Sequence, residues 1–295
     1  MQFSVSIKPD PDGFTGRECP TCERYFKIKT GTGIPSLTTC HCPYCNHVGP
    51  HTEFWTKQQI KYAQSVALNK ISTQLLSQLK KMEQRPDPRA FISIGIKVKG
   101  NPTPIAYYSE KQLEERVTCN ACALEYTIYG AFGYCPDCGV HNSAQIAGAN
   151  LDLVVKTLDL SRSAPPDVQE KLVENALEDA VSCFDGFGRE HCATQPYKIS
   201  FQNIDAARDK LLREHQFDLS AALTAAEWKF VSDQFQKRHL LAHKLGVIDA
   251  EFVAKTGCAP SLQGRKVTTS ESDVRTLIAH LRVMADALHG SVTRV

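Results

Sequence analysis

Four Cys-x-x-Cys pairs in the first half of this 295-residue chain restrict what that half can fold into more than any other feature. They are Cys19-Pro-Thr-Cys22, Cys42-Pro-Tyr-Cys45, Cys119-Asn-Ala-Cys122 and Cys135-Pro-Asp-Cys138. Two thiolates at this spacing occupy one edge of a tetrahedral ion, and a second knuckle beyond a strand and a loop completes the shell. The spacing predicts two structural Zn2+ ions, one held by Cys19, Cys22, Cys42 and Cys45, the other by Cys119, Cys122, Cys135 and Cys138. Cys40 and His41 lie just upstream of the second knuckle and leave open a register that uses Cys40, although Cys42 has the better Cys-Pro-x-Cys form. Shells of four thiolates are closed, so neither ion is expected to be catalytic. Closing such a site contributes ~10–16 kcal/mol in small zinc peptides, which replaces the core that a ribbon of this size cannot build.

Eight of the twelve cysteines fall in these pairs, and the N-terminus has no basic-then-apolar signal segment. Both points favour a reducing cytoplasm and bound metal over a secreted disulfide framework. Cys183, Cys192 and Cys258 are scattered singly and are expected to be ordinary thiols. No run reaches the ~18 apolar residues of a membrane span, so no membrane partner is expected. Net charge is only +2. The first 150 residues carry 16 Lys and Arg against 12 Asp and Glu, the remainder 18 against 20, so no strongly basic domain announces nucleic acid.

Taken in order, Phe3 to Ile7 alternates like a strand and leads through turn chemistry at Pro9 to Gly13 into the first knuckle. Tyr25-Phe-Lys-Ile28 predicts a strand, and with Arg24, Lys27 and Lys29 it forms a small basic-aromatic patch that could meet nucleic acid or a protein partner. Thr56-Lys-Gln-Gln59 is a capping box for a helix running to Gln84, with Ile60, Ala63, Ala67, Ile71, Leu75, Leu76 and Leu79 at helical spacing. Phe91 to Lys99 and Ile105 to Tyr108 predict a hairpin ahead of the second ribbon. The two ribbons both place aromatic and β-branched residues after their first knuckle, as a divergent internal repeat would. The expected class is α+β and multidomain: a first zinc ribbon over 1–55, a connecting helix over 56–86, a hairpin and second ribbon over 87–142, and an all-α bundle over 143–295.

Helical signals fill the C-terminal half. Ser143 is expected to cap a segment through Leu153, Val154 and Leu158. Pro165 and Pro166 suit the first turn of a helix to about Phe184, which Gly186 and Gly188 are expected to break, leaving Arg189, Glu190 and His191 on a loop. Further helices are expected over Phe201 to His215, from Thr224 to Leu245, and from a Ser270 cap through Leu288. Thr224-Ala-Ala-Glu227 is a capping box and Gly246 a stop. Trp228, Val231, Phe235, Ala242 and Leu245 form one packed stripe that includes Arg238. A guanidinium at a core position costs several kcal/mol unless paired, so Arg238 should face an acid, a second subunit or an anionic ligand.

Arg238, His239 and His243 form the chain's most plausible acid-base constellation. His239-Leu-Leu-Ala-His243 has the two-histidine spacing of a zinc metalloprotease, but Leu240 stands where the general-base Glu is required. The stretch Phe235-Gln-Lys-Arg-His-Leu-Leu-Ala-His-Lys-Leu-Gly-Val-Ile-Asp249 resembles the signature of the HEPN superfamily, small helical bundles whose active members carry Arg, a polar residue, three others and then His. Arg238, His239 and His243 match that pattern position for position, and the likeness extends more loosely over about residues 163 to 290. The resemblance implies a HEPN-like bundle, RNA as substrate, a metal-independent endoribonuclease acting as a homodimer through the helical domain, and a stress, toxin or antiviral-defence role. The alternative is a noncatalytic protein, in which the ribbons bind nucleic acid or protein and the bundle dimerises.

Overall fold

The computed structural model describes residues 5–83, 96–113, 115–192 and 199–292. The chain divides into two compact units, residues 1–140 and 141–295. The class is α+β, with a small sheet system in the first unit and seven helices among the described residues.

In the first unit, β1 (Phe14–Glu18) pairs antiparallel with β2 (Tyr25–Lys29), and β5 (Glu115–Thr118) pairs likewise with β6 (Glu125–Ile128). The turn of each hairpin is a Cys-x-x-Cys pair. The hairpins then join edge to edge, β2 against β6, with Lys27 opposite Thr127 and Ile28 opposite Tyr126. One four-stranded sheet results, in the order β1-β2-β6-β5. Lys27 and Thr127 hold the same place in their own hairpins, so the two repeats are related by a local two-fold through this pair. The two expected ribbons therefore lie in a single unit and share a sheet.

Strand alternation sends Phe26, Ile28, Tyr126 and Ile128 into one buried layer, together with Cys19, Cys42, Cys119 and Cys135. The opposite face buries Lys27, whose Nζ meets the Asp10 carboxylate at 2.7 Å, with side-chain exposures of 3% and 8%. A second antiparallel pair, β3 (Thr39–His41) and β4 (Val48–Pro50), carries the Cys42–Cys45 knuckle between its strands.

Helix α1 (Lys57–Lys81) starts at the expected capping box, where Thr56 Oγ1 accepts from Gln59 N and Gln59 Oε1 accepts from Thr56 N, both at 3.0 Å. Gln59 is the one buried residue of this helix, and its Nε2 donates to Gly16 O at 3.0 Å and to the Tyr108 hydroxyl at 2.8 Å. Ile60, Leu68, Ile71, Leu75 and Leu79 stay exposed. The expected strand over 3–7 is not found where it is described, and residues 1–4 lie outside the described residues. Of the expected hairpin, residues 91–95 lie outside the described residues and Ile105 to Tyr108 is irregular. Side chains hold that segment in place of a ladder. Ser65 Oγ accepts from Ala106 N at 2.9 Å, and the Glu110 carboxylate accepts from Gly16 N at 2.8 Å and from the Tyr25 and Tyr108 hydroxyls.

The described residues of the second unit are mainly helical: α2 (Ser143–Ser161), α3 (Pro166–His191), α4 (Ile204–His215), α5 (Ala225–Lys244), α6 (Ala250–Thr256) and α7 (Glu271–Val292). Helix α3 is the central member and packs on α2, α5 and α7. Its Leu177, Val181 and Phe184 meet Leu158 of α2, Val231 and Phe235 of α5 and Leu281 of α7 in one core. Gly186 and Gly188 do not break α3, contrary to expectation. A Cβ at Gly188 would fall 2.3 Å from the Phe201 ring, so glycine here serves close packing and the helix runs on to His191. Arg189 and His191 consequently sit on a helix and are structural. Arg189 Nε donates to buried Asp185 at 2.8 Å, and the His191 ring stacks on Phe187 with centroids 5.3 Å apart. Asn142 rather than Ser143 precedes the first turn of α2, and Leu153 of that helix is exposed.

His141, at the entry to α2, and His191, at the end of α3, are both held well below the usual imidazole value, to about 4. Burial is the main cause, followed for each by His289 of α7. The unfolded chain, with imidazoles near ~6.5, binds more protons than the folded chain between these values, so stability is full above pH ~6.5 and declines toward pH ~4. Denaturant midpoints measured across this window should fall steadily for the wild type. Replacing His191 with Phe should flatten the slope, and an unchanged slope would contradict the role given to this cluster.

Candidate metal centres and active site

All four Cys-x-x-Cys pairs close in the same way. In the first, Cys19 O accepts from Glu23 N at 2.9 Å and Cys19 N donates to Arg24 O at 3.0 Å. The same two bonds join Cys42 to Asn46 and His47, Cys119 to Ala123 and Leu124, and Cys135 to Gly139 and Val140. Each knuckle needs a left-handed residue at its fifth position, and Glu23, Asn46, Ala123 and Gly139 have φ of 56°, 54°, 62° and 69°. Only one of the four is glycine. The other three take a conformation that costs an L residue roughly 1–2 kcal/mol, which ligation of a metal by these cysteines would offset.

These knuckles bring the thiols together in the two sets predicted. Within each set the sulfur atoms lie within 4.8 Å of one another. Cys19 to Cys45 is 3.7 Å and Cys22 to Cys42 is 3.6 Å; Cys119 to Cys138 is 3.6 Å and Cys122 to Cys135 is 3.5 Å. A tetrahedral ZnS4 centre with bonds of ~2.3 Å places its sulfurs ~3.8 Å apart, so both cages have the size of such a centre. Cys40 belongs to neither set. It is fully buried on β3, its thiol donates to His41 O, and burial pushes that thiol up to about 12.

The two centres brace each other reciprocally. His41 N, just before Cys42, donates to Pro136 O at 2.7 Å, and Tyr134 N, just before Cys135, donates to Pro43 O at 2.8 Å. The third residue of each Cys-Pro-x-Cys then reaches across. Asp137 Oδ2 accepts from Ile34 N at 2.9 Å, and the Tyr44 hydroxyl accepts from Tyr129 N at 3.0 Å while donating to Tyr25 O at 2.8 Å. The basic-aromatic patch read around β2 is largely consumed in this construction. Tyr25, Phe26 and Lys27 are buried, and Lys29 pairs with Glu125 at 2.8 Å. What stays at the surface is Arg24, stacked 5.3 Å from the Tyr44 ring centroid, and the half-exposed ring of Tyr129.

In the second unit, α5 opens at the Thr224–Glu227 capping box and closes on Leu245 and Gly246, both left-handed, with φ of 53° and 76°. Val231 and Phe235 point into the core, but the predicted stripe does not continue. Ala242 is exposed and Leu245 is 88% exposed. The cause is local. The last turns of α5 pack on α6 through a separate cluster of Leu240, Ile248, Phe252 and Val267, while Leu241 touches both this cluster and the bundle core. The inward-facing side of α5 is thereby left open at Arg238, Ala242 and Leu245.

His239 and His243 are exposed on one side of this helix end, with ring centroids 5.0 Å apart and planes at 55°. Partial burial, then His243 and Lys244, hold His239 below the usual imidazole value, so it is neutral and able to accept a proton at pH 7. Arg238 is half-buried, and its Nε is buried without an acceptor. The other cations of α5 are all paired: Lys229 with Asp233 at 2.5 Å, Lys237 with Asp273 at 3.5 Å, and Lys244 with Asp249 and Glu251. Among the described residues Arg238 alone of the Lys and Arg residues on this helix has no acidic partner. One turn earlier Gln234 is 3% exposed and its Oε1 is also without a donor. The sequence reading passed over Gln234, although its place four residues before Arg238 on the core side was visible.

The chain matches no family model, no curated protein and no solved structure. No helix among the described residues is long and apolar enough to cross a membrane.

The reciprocal bracing makes a prediction about metal. Replacing Cys119 and Cys122 together with Ser removes one cage and should also weaken the other by roughly 10- to 100-fold, the range typical of lost outer-shell support. Competition with a chromophoric chelator on the full-length protein reads this directly. Full-affinity retention of one ion by the variant would show that the centres are independent.

Proposed function

We propose that this protein is a metal-independent endoribonuclease of HEPN type, whose paired zinc ribbons bind nucleic acid or a partner. The observation that carries the reading is the unpaired guanidinium of Arg238 at an open helix end that also presents two exposed histidines. The sulfur cages fit Zn2+, held by Cys19, Cys22, Cys42 and Cys45 and by Cys119, Cys122, Cys135 and Cys138, in a structural role.

Cleavage of RNA through its own 2′-hydroxyl needs one group to take the hydroxyl proton as the 2′ oxygen attacks phosphorus. A second group gives a proton to the departing 5′ oxygen, and a cation offsets charge on the phosphorane. Arg238 suits the last task, since its planar fork matches phosphate and no carboxylate neutralises it. His243 suits proton transfer, typically worth roughly 10²–10⁴-fold, and His239 can orient the phosphate. Arg238 and His243 diverge by about 140° around an ideal helix, so they meet one phosphate only from a groove. A second copy docked on the exposed Ala242 and Leu245 supplies such a groove and a second set of histidines, as a two-fold dimer requires. Arg24, Tyr44 and Tyr129 on the ribbon unit offer a cation and aromatic faces to a single strand. A stress or antiviral-defence effector role accords with this activity and rests on the superfamily resemblance.

Arg238→Ala and His243→Ala should each abolish cleavage of RNA while leaving folding and dimerisation intact, and His239→Ala should weaken it less. A 2′-deoxy linkage at the cut site should resist. Cleavage that demands added Mg2+, or that survives both substitutions, returns the chain to the noncatalytic reading. Sedimentation showing a monomer at working concentrations would remove the shared groove.

A further inference from the structure

Helix α1 turns its polar side to its own chain and its apolar side to solvent. Residues 98–106 run back along it on hydrogen bonds from small polar side chains. Asn69 Nδ2 donates to Thr103 O at 2.7 Å, and the Ser72 and Ser65 hydroxyls accept from Thr103 N and Ala106 N, both at 2.9 Å. Just past the helix end, Glu83 Oε1 accepts from Val98 N at 2.9 Å. The aliphatic residues lie elsewhere. Ile60, Leu68, Ile71, Leu75 and Leu79, with Met82 beyond the last turn, are between 37% and 65% exposed. From Leu68 onward they recur at spacings of three and four residues, and on an ideal helix this row stands roughly 100° around from Ser65, Asn69 and Ser72. A continuous aliphatic row left bare on a folded unit marks an interaction surface.

Charge identifies the kind of partner. Helix α1 has five lysines, Lys57, Lys61, Lys70, Lys80 and Lys81, and no acidic residue. Lys97 and Lys99, on the segment that runs back toward it, are exposed as well. Among the described residues only Lys57 of this set has acidic partners, Glu18 at 3.7 Å and Glu23 at 3.1 Å. A second copy of α1 laid on the row would set lysine against lysine in either direction, which is repulsive. A lipid interface favours Trp and Phe on the inserted face, and this row has neither. RNA offers phosphates to the lysines but nothing to a row of aliphatic side chains. An acidic amphipathic helix meets both demands, because its apolar residues at heptad spacing fill the row and its carboxylates reach the lysines beside it. We propose that the exposed row of α1 is the docking seam for an acidic amphipathic helix of a partner protein. Arg238 and the two histidines take no part in this binding, so loss of RNA cleavage and loss of docking are separate outcomes.

The probe is a labelled helical peptide with Leu at its a and d positions and Glu at e and g, titrated with the full-length protein and followed by fluorescence anisotropy. A second peptide carries Lys in place of Glu. The wild type should bind the acidic peptide and not the basic one, and added salt should weaken the complex. Ile71→Ser with Leu75→Ser should weaken it by at least ~10-fold, as loss of central apolar anchors does. Lys70→Glu with Lys81→Glu should transfer binding to the basic peptide. All four side chains are exposed, so both variants should melt with the wild type. Failure of the wild type to bind the acidic peptide, equal affinity for the two peptides, or binding that survives the Ser substitutions would each overturn the proposal. Self-association in sedimentation, or flotation with phosphatidylserine vesicles, that is abolished by the Ser substitutions would give the row to a second copy or to a lipid surface and would overturn it too.

Discussion

Everything in the first unit depends on closing two four-thiolate cages inside one thin apolar layer. Phe26, Ile28, Phe54, Leu124, Tyr126 and Ile128 make a small core for a sheet of strands this short, and the cysteines complete the layer they begin. The cages are also how the repeats recognise each other. The backbone before Cys42 bonds to the carbonyl after Cys135, and the backbone before Cys135 bonds to the carbonyl after Cys42. Cysteine cages, sheet and core are therefore one arrangement. A lone ribbon would expose the edge of β2 or β6, each of which the other repeat covers.

The second unit obtains its stability conventionally, from α3 buried among α2, α5 and α7. The final turns of α5 divide their contacts between the bundle, through Leu241, and the α6 cluster, through Leu240 and Leu241, and leave Ala242 and Leu245 exposed. Arg238 lies where this division occurs. The dry end of its side chain and its unpaired charge come from the same cause, and so does the solvent access of His239 and His243.

Metal chemistry was the most legible part of the sequence, because ligand spacing is local: each Cys-x-x-Cys makes its own turn whatever surrounds it. Cys42 was preferred over Cys40 for that reason, and the two thiols are placed accordingly. Capping boxes at Thr56 and Thr224 were legible for the same reason. Signals that depend on distant partners were not. Gly188 reads as a breaker, and only the ring of Phe201 shows that it is a packing position. Ile105 to Tyr108 has strand composition, yet Glu110 and α1 tie it down through side chains. At the candidate site, spacing singled out Arg238, His239 and His243, but the exposure of Ala242 and Leu245 depends on how α6 packs against the end of α5.

The measurement closest to the central claim is the chemistry of the ends left on RNA. Purified protein incubated with mixed RNAs in EDTA too mild to strip the cages should yield fragments with 2′,3′-cyclic phosphate and 5′-hydroxyl ends, because the attacking oxygen is the RNA's own. Fragments with 5′-phosphate ends would place the attack on water, and the absence of any fragment would leave Arg238 to bind rather than to cleave.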